Sequence, residues 1–195
     1  MILSNVSIHK ALDSGWLIIN PEPVPRFPED GADCPYQTSS VDLQLADEIA
    51  YFKEDMAFNI DLTQGDYRRT FGQNSENRKI TTEQPYRLLP HKMVIGQMLE
   101  RVHLPLIDDA PCLAARIEGK SSYARCGLLV HFTAPTIHAG YDGPITLELI
   151  NLGTIPIMLH PHKPICQLIV EQVDGRPFRN DSQFQSQATV AGMDG

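Results

Sequence analysis

Short runs in which apolar and polar residues alternate dominate this chain, and such runs are typical of half-buried β-strands. Residues 113–117, 128–132 and 145–149 follow this pattern, while 155–159 and 165–170 are short apolar runs separated by prolines. Long helical periodicity is not evident between them. Many short strands with proline and glycine punctuation predict an all-β barrel or jelly roll.

The beginning of the chain departs from this pattern and predicts one short helix. Ser4 is a suitable N-cap, because its hydroxyl can accept a hydrogen bond from a backbone N–H in the first turn. Ile8, Ala11 and Leu12 fall on one face, and Gly15 is a natural residue to end the helix. We interpret this helix as a cap on the barrel without a chemical role.

Two stretches read as loops. Residues 16–19 predict a strand that leads into a proline-rich loop, residues 21–35. Residues 52–85 are polar and weakly periodic, so we expect surface loops there and assign them no function. Strand-like alternation returns at residues 87–96.

Length and composition limit the classes of function. The 195 residues suit a single domain, and a net charge of −8 with an isoelectric point near 5.3 argues against a general nucleic-acid binder. Four widely spaced cysteines, no secretory signal and no apolar run of membrane-spanning length predict reduced thiols in a cytoplasmic protein. An acidic protein can still bind a small anion through a few local cations.

Residues 116–148 have the composition of an anion site. A strand-like run is interrupted by Gly119, after which Lys120, Ser121 and Ser122 offer an ammonium, two hydroxyls and backbone N–H groups. Phosphate oxygens accept hydrogen bonds from such donors. Arg125 follows closely, and its guanidinium can bind oxygens through two parallel hydrogen bonds.

Glu148 is a lone carboxylate in the next strand. Ile145, Leu147 and Leu149 should point to one face of the strand, so Thr146 and Glu148 should share the other. A carboxylate among apolar neighbours is suited to taking a proton from water and returning it later. Two alternatives remain open on the pattern alone: Glu148 is a solvated residue, and the serine pair is an ordinary turn.

Five short motifs, in order, resemble a known family. They are SVDL at 40–43, EGKSSYARCGL at 118–128, HFTA at 131–134, GYDGPITLEL at 140–149 and PICQL at 164–168. Together they are similar to the dCTP deaminases of the dUTPase-like superfamily of trimeric nucleotide hydrolases. The resemblance covers nearly the whole chain.

The resemblance implies a fold and an activity. It implies a distorted jelly-roll or β-barrel of the dUTPase-like type with a short N-terminal helix, forming one domain over residues 1–195. Residues 174–195 would be a tail that closes over the nucleotide. The implied reaction is the zinc-independent hydrolysis of dCTP to dUTP and ammonia, which supplies dUTP for thymidylate synthesis. Magnesium would arrive with the triphosphate, dTTP is a possible feedback inhibitor, and homotrimers would hold sites between subunits.

The resemblance also assigns residues to the site. Glu148 would act on the water, helped by Ser121, Arg125 and the backbone carbonyl of Ala134. Thr146 and Leu147 would present backbone groups to the base. The full set implied to bind the substrate is Lys120, Ser121, Ser122, Tyr123, Ala124, Arg125, His138, Thr146, Leu147, Glu148, Phe178, Gln183 and Gln187.

Three departures from the family pattern bear on function. His138 stands where an aspartate near the deoxyribose is usual, and Phe178 replaces a tyrosine. Gln183 and Phe184 stand close to where the usual lysine and tyrosine of the tail are expected. The missing aspartate counts against a bifunctional enzyme that continues to dUMP and pyrophosphate. His131 could be a switch residue for dTTP, although a strand histidine with satisfied hydrogen bonds is the simpler interpretation.

Other classes of function are weaker. A zinc deaminase would need an H-x-E and a P-C-x-x-C signature, and neither occurs in the sequence. A plain dUTPase would carry a glycine-rich motif in its tail and would leave Glu148 without a clear task. A non-catalytic trimeric nucleotide-binding regulator remains an alternative, because His138 and the altered tail favour it while Ser121, Arg125 and Glu148 do not.

Overall fold

The structure, a computed structural model, describes residues 1–53, 63 and 72–178 of the chain. Within them the strands far outnumber the helices, as the alternating pattern predicts. The elements in chain order are α1 (Asn5–Asp13), β1 (Ile18–Asn20), β2 (Val41–Phe52), β3 (Ser75–Lys79), β4 (Tyr86–Leu88), β5 (Met93–His103), β6 (Leu113–Gly119), α2 (Ser121–Ala124), β7 (Leu128–Leu129), β8 (Thr136–Ile137), β9 (Asp142–Asn151), β10 (Ile157–Leu159) and β11 (Pro164–Gln172).

The strands form one curled, half-closed barrel. The path through the nine-stranded sheet is β7-β9-β5-β2-β11-β6-β8, with β1 added to β5 and β3 added to β2, and every pairing is antiparallel. Strands β4 and β10 form a separate two-stranded sheet. This architecture confirms the predicted mainly-β barrel, and it places β9, which carries Glu148, between β7 and β5.

The core consists of the inward-facing side chains of these strands. In β9 every second residue is buried, and Ile145, Leu147 and Leu149 are at most 3% exposed. Gly96 on β5 lies opposite Leu147, and a Cβ at that position would come within 2.9 Å of Leu45 Cδ1. A larger residue at this position would therefore require the side chain of Leu45 to shift.

The N-terminal helix α1 forms as its sequence predicts. Ser4 is the N-cap, and its side chain accepts a hydrogen bond from the backbone N–H of Ser7 at 3.3 Å. Ile8 and Ala11 are buried, and Gly15 follows the helix with a φ of +69°. The helix packs its apolar face on the barrel and leaves the opposite face in solvent.

One loop prediction and one strand prediction were wrong in part. Residues 75–79 were expected to be loop, but they form β3, which pairs with Glu48–Phe52 of β2. Four of its five residues are exposed, so no apolar alternation reveals it in the sequence. The strand predicted at 128–132 ends at Leu129, and Phe132 is 56% exposed rather than buried.

The turn before β9 is closed by hydrogen bonds around a half-buried tyrosine. Gly140 has a φ of +87°, and the backbone N–H of Tyr141 donates to the carbonyl of His138 at 3.1 Å. The Tyr141 hydroxyl donates to the carbonyl of Pro144 at 2.6 Å, and burial raises its pKa to about 12. Tyr141 therefore stays neutral and fixes the start of the strand that carries Glu148.

Two other features concern the thiols and the lengths of the helices. All four cysteines are free thiols in the structure. In the described part of the chain, no helix is both long enough and apolar enough to cross a membrane.

Candidate active site

Glu148 lies on the half-buried face of β9. It pairs with Ile95 of β5, and its side chain points away from the buried Leu147 and Leu149, as the alternation predicts. One carboxylate oxygen, Oε2, accepts a hydrogen bond from the backbone N–H of Phe132 at 3.3 Å. The carboxylate is thus attached to the loop between β7 and β8 and remains partly open to solvent.

The serine pair opens a single helical turn, α2. The backbone N–H groups of Tyr123 and Ala124 donate to the carbonyl of Lys120 at 3.0 and 2.9 Å, and that of Arg125 donates to Ser121 at 3.2 Å. None of the four residues of α2 is buried. The hydroxyls of the serines and the guanidinium of Arg125 are therefore exposed, whereas Tyr123 is half-buried against the core.

Lys120 immediately precedes this turn and has a partner within its own chain. Its ammonium forms an ion pair with the carboxylate of Asp42, which is only 8% exposed. The other oxygen of Asp42 accepts a hydrogen bond from the side-chain amide of Gln167 at 3.1 Å. The beginning of α2 is consequently tied to β2 and β11.

The end of α2 crosses another loop at very short range. Gly127 has a φ of +94°, and a Cβ there would overlap the backbone of Gly153. A Cβ at Gly153 would in turn come within 2.6 Å of the carbonyl oxygen of Cys126. The backbone N–H of Leu152 donates to the carbonyl of Gly127 at 2.8 Å, so the loop after β9 is fixed against the residues that follow Arg125.

A cleft of about 750 Å³ opens beside this crossing. Its walls come from residues 123–128 and from the segments 153–160 and 163–165. The lining is mainly apolar, and Arg125, His160 and Lys163 add cationic or titratable groups. Its volume falls in the range of about 300–1,000 Å³ that ligand pockets occupy.

A second carboxylate, Glu100, lies in the interior and was not singled out in the sequence. It is 2% exposed, and its Oε2 accepts a hydrogen bond from the backbone N–H of Gln44 at 2.9 Å. Burial raises the pKa of Glu100. Burial, reinforced by the charges of Glu100 and Asp42, also raises the pKa of the Cys166 thiol, so that thiol stays protonated.

Comparison with known proteins decides the family. The model of the family described as dCTP deaminase-like matches residues 2–173. The chain belongs to this family. The match spans every strand from β1 to β11 and stops near the end of the described residues.

Two relatives illustrate the similarity of this dCTP deaminase-like chain. A "dCTP deaminase, dUMP-forming" of Dictyoglomus thermophilum is 38% identical over 168 residues, which cover 86% of this chain and 78% of the relative. A "dCTP deaminase" of Natronomonas pharaonis is 35% identical over 192 residues, which cover 96% of this chain and 91% of the relative.

A solved structure supports the fold of the family. The crystal structure of 2'-deoxycytidine 5'-triphosphate deaminase from Agrobacterium tumefaciens aligns with a TM-score of 0.59 at 20% identity. The alignment covers 87% of this chain but only 47% of that one, so the present chain spans about half its length. At this identity the likeness establishes the fold alone, and it agrees with the mainly-β barrel predicted from the sequence.

Four of the remaining predicted site residues lie beside β8 or on β9. Ala134 and His138 are exposed on either side of β8, and Thr146 and Leu147 precede Glu148 on β9. Leu147 is fully buried, so only its backbone can meet a ligand. Their contacts with substrate stay predictions.

The tail is only partly described. Phe178 is 89% exposed at the end of the described residues, and Gln183 and Gln187 lie outside them.

Sequence reasoning missed several residues that organise this site. Asp42 was noted in the SVDL motif without a role, and Asn151, Gly153 and the amide of Phe132 were not considered. A role for Asp42 could have been predicted, because a carboxylate between Val41 and Leu43 in a buried strand requires a hydrogen-bonding or charged partner. The identity of that partner could not be read from the sequence.

Proposed function

We propose that this chain hydrolyses dCTP to dUTP and ammonia. The proposal is supported by its membership of the dCTP deaminase-like family and by the relatives named dCTP deaminase. The single observation that carries it is the position of Glu148. Its carboxylate is held by the amide of Phe132 at the border of the core, where a base can meet both a water molecule and an apolar ring.

The proposed chemistry needs one carboxylate and one water. Glu148 takes a proton from the water while the water oxygen forms a bond to C4 of cytosine. The carboxyl group then passes that proton to N3 of the ring. The C4–N bond then breaks, and the amino group leaves as ammonia with the proton of the new hydroxyl. The ring is left with the carbonyl of uracil, and the carboxylate is restored. Ser121, Arg125 and the carbonyl of Ala134 position the water and the carboxylate.

We assign the triphosphate to the exposed helix α2 and to Arg125, which follows it. The hydroxyls of Ser121 and Ser122 and the guanidinium of Arg125 are suited to anionic oxygens. Magnesium enters as part of the substrate, bound to the phosphate oxygens. The deaminating carboxylate itself requires no zinc in this mechanism.

We further propose that a second copy of the chain completes each site, in a homotrimer. Helix α2 buries none of its residues, and the cleft beside it is flanked by Ile155 and Met158, which are 73% and 47% exposed. Apolar side chains of this size, beside a turn that is flanked by Lys120 and Arg125, suit a protein neighbour. The site would then combine Arg125 of one subunit with Glu148 of another.

Mixing two inactive variants tests this arrangement. Arg125→Ala and Glu148→Gln should each be inactive alone. When the two are unfolded together and refolded as a mixture, about one site in four should receive both intact residues and regain activity. No recovery in the refolded mixture, with refolded wild type as the positive control, would refute a site shared between subunits.

A second candidate product deserves a direct test, because several relatives are named as dUMP-forming. Such an enzyme continues from dUTP to dUMP and pyrophosphate. His138, which stands where the family usually has an aspartate, is exposed at the turn after β8 and speaks for dUTP as the product. The His138→Asp variant would show whether this position controls the second step.

The first experiment incubates the protein with dCTP and Mg²⁺ in the presence of a zinc-selective chelator and separates the nucleotides by ion exchange. Accumulation of dUTP supports the proposal, and its suppression by added dTTP supports feedback inhibition. Formation of dUMP with pyrophosphate would instead support the second candidate, an enzyme that continues from dUTP to dUMP. Intact dCTP with cleavage of added dUTP indicates a dUTPase, and no reaction with either nucleotide favours a non-catalytic regulator.

A further inference from the structure

Helix α2 has little apolar packing to hold it, because only Tyr123 is half-buried against the core. Its single turn contains no buried residue, and its N-cap, Lys120, makes no side-chain capping hydrogen bond. Helices of this length are unstable by themselves and normally depend on packing. Contacts at the two ends of the turn therefore supplement the packing of Tyr123 in holding it on the barrel.

Asp42 supplies the contact at the beginning of the turn. Its carboxylate binds the ammonium of Lys120 and the amide of Gln167, while its own backbone N–H donates to the carbonyl of Pro35 at 2.8 Å. The side chains of Asp42 and Lys120 are 9% and 22% exposed. The pair is thus largely shielded from water, and an ion pair in this setting has a defined geometry.

The position of Lys120 sets the position of the turn. Its carbonyl oxygen accepts the backbone hydrogen bonds of both Tyr123 and Ala124, so a displaced Lys120 would displace the turn as a whole. Ser121 and Arg125 belong to the same turn. We propose that Asp42 is a positioning residue for the site: through Lys120 it fixes the turn that presents Ser121, Ser122 and Arg125.

This inference rests on the proposed function for its catalytic readout, and it assigns Lys120 a different task from direct phosphate binding. The ammonium already has a buried counter-charge in its own chain. Phosphate contacts then depend on the hydroxyls of the serines and on Arg125, which are exposed. Lys120 acts on the substrate through the placement of these groups.

The test compares Asp42→Asn with Asp47→Asn. Both aspartates lie on β2, and Asp47 also faces a lysine, Lys79 at 3.8 Å, but its side chain is 50% exposed. We expect Asp42→Asn to raise the KM for dCTP and to lower kcat/KM about 10- to 100-fold, the scale of loss for a misplaced site. Asp47→Asn should match wild type. A variant that is merely less stable would lose active protein and keep the wild-type KM.

Hydrogen exchange provides a readout that does not depend on activity. In Asp42→Asn the amides of Tyr123, Ala124 and Arg125 should exchange faster, while the amide of Ile8 in α1, bonded to Ser4 at 2.8 Å, should not change. Unchanged exchange of the turn and an unchanged KM in folded Asp42→Asn would overturn the proposal. If wild type does not react with dCTP, the proposed function fails, and the exchange experiment still tests the positioning role.

Variants of Lys120 cover the case in which Asp42→Asn does not fold. Lys120→Met removes the same ion pair by changing its more exposed partner. It should also speed hydrogen exchange of the backbone amides of the turn. Lys120→Arg can still form the ion pair, so its amide exchange rates and its KM should stay close to those of wild type. If Lys120→Met raises the KM while a folded Asp42→Asn does not, Lys120 binds the substrate directly and the proposal is wrong.

Discussion

Replacing Asn151 by alanine should strongly destabilise the protein, because its side chain closes the loop that follows the Glu148 strand. Asn151 is fully buried at the end of β9. Its Nδ2 donates to the carbonyls of Leu88 and Ile155 at 3.1 and 2.9 Å, and its Oδ1 accepts from the backbone N–H of Gly153 at 2.9 Å. Alanine removes all three hydrogen bonds at once.

The magnitude follows from the groups left without partners. A buried backbone group that loses its hydrogen bond costs about 1–3 kcal/mol. The Leu88 bond is buried, while those of Ile155 and Gly153 are partly buried, so water can compensate part of their loss. We expect Asn151→Ala to lower the free energy of unfolding by about 3 kcal/mol, a large part of the 5–15 kcal/mol typical of a domain.

The assay is urea unfolding followed by circular dichroism at one fixed protein concentration, because association changes apparent stability. Asn77→Ala, on the exposed strand β3, is the matched control and should change the free energy little. Asn151→Asp keeps the acceptor for Gly153 but turns a carboxylate toward two carbonyls, so it should be at least as harmful. A loss below about 1 kcal/mol for Asn151→Ala, or a stable Asn151→Asp, would refute the reasoning.

Three further predictions concern the site and the interior. Glu148→Gln should keep the fold and nucleotide binding, measured by calorimetry, while kcat falls about 10²- to 10⁴-fold, since an amide cannot take the proton; near-normal turnover would remove Glu148 from the mechanism. Burial raises the pKa of Glu100, so wild type loses stability as pH rises through that pKa. In urea titrations, the free energy of unfolding of Glu100→Gln relative to that of wild type should therefore increase with pH. A difference that does not change with pH would contradict this. Gly127→Ala should destabilise the fold and impair activity much more than Gly31→Ala, because both glycines have positive φ but only the Gly127 Cβ would meet another backbone. Equal thermal shifts for the two variants would show that the crossing with Gly153 is unimportant.

The barrel could be predicted from the sequence where its strands are half-buried. In β9 the period of two between Ile145 and Leu149 assigns each side chain to a face, and the structure confirms that assignment. Strand β3 could not be found in this way, because it lies off the main path of the sheet, is held by backbone pairing with β2, and exposes four of its five side chains. Phe132 was misplaced for the converse reason, since β7 ends before the apolar pattern does.

The site could be predicted only as far as its groups are close in sequence. The cluster from Lys120 to Arg125 is visible as a local motif, whatever fold surrounds it. The ion pair between Lys120 and Asp42 joins residues 78 positions apart, and it depends on β11 lying between β2 and β6. Such a contact is a product of topology, so a list of residue types cannot reveal it.

The attachment of helix α2 by its ends also explains how the site can be both fixed and accessible. A helix that packed on the barrel through one face would be stable, but that face would be closed to any ligand or partner. Here Asp42 holds the beginning of the turn, and Gly127 and Gly153 fix its end by backbone contact alone. Ser121, Ser122 and Arg125 are then left in solvent with a defined position. The proposed site between subunits would use this combination, because the groups that a second subunit would cover are already held in position within one chain.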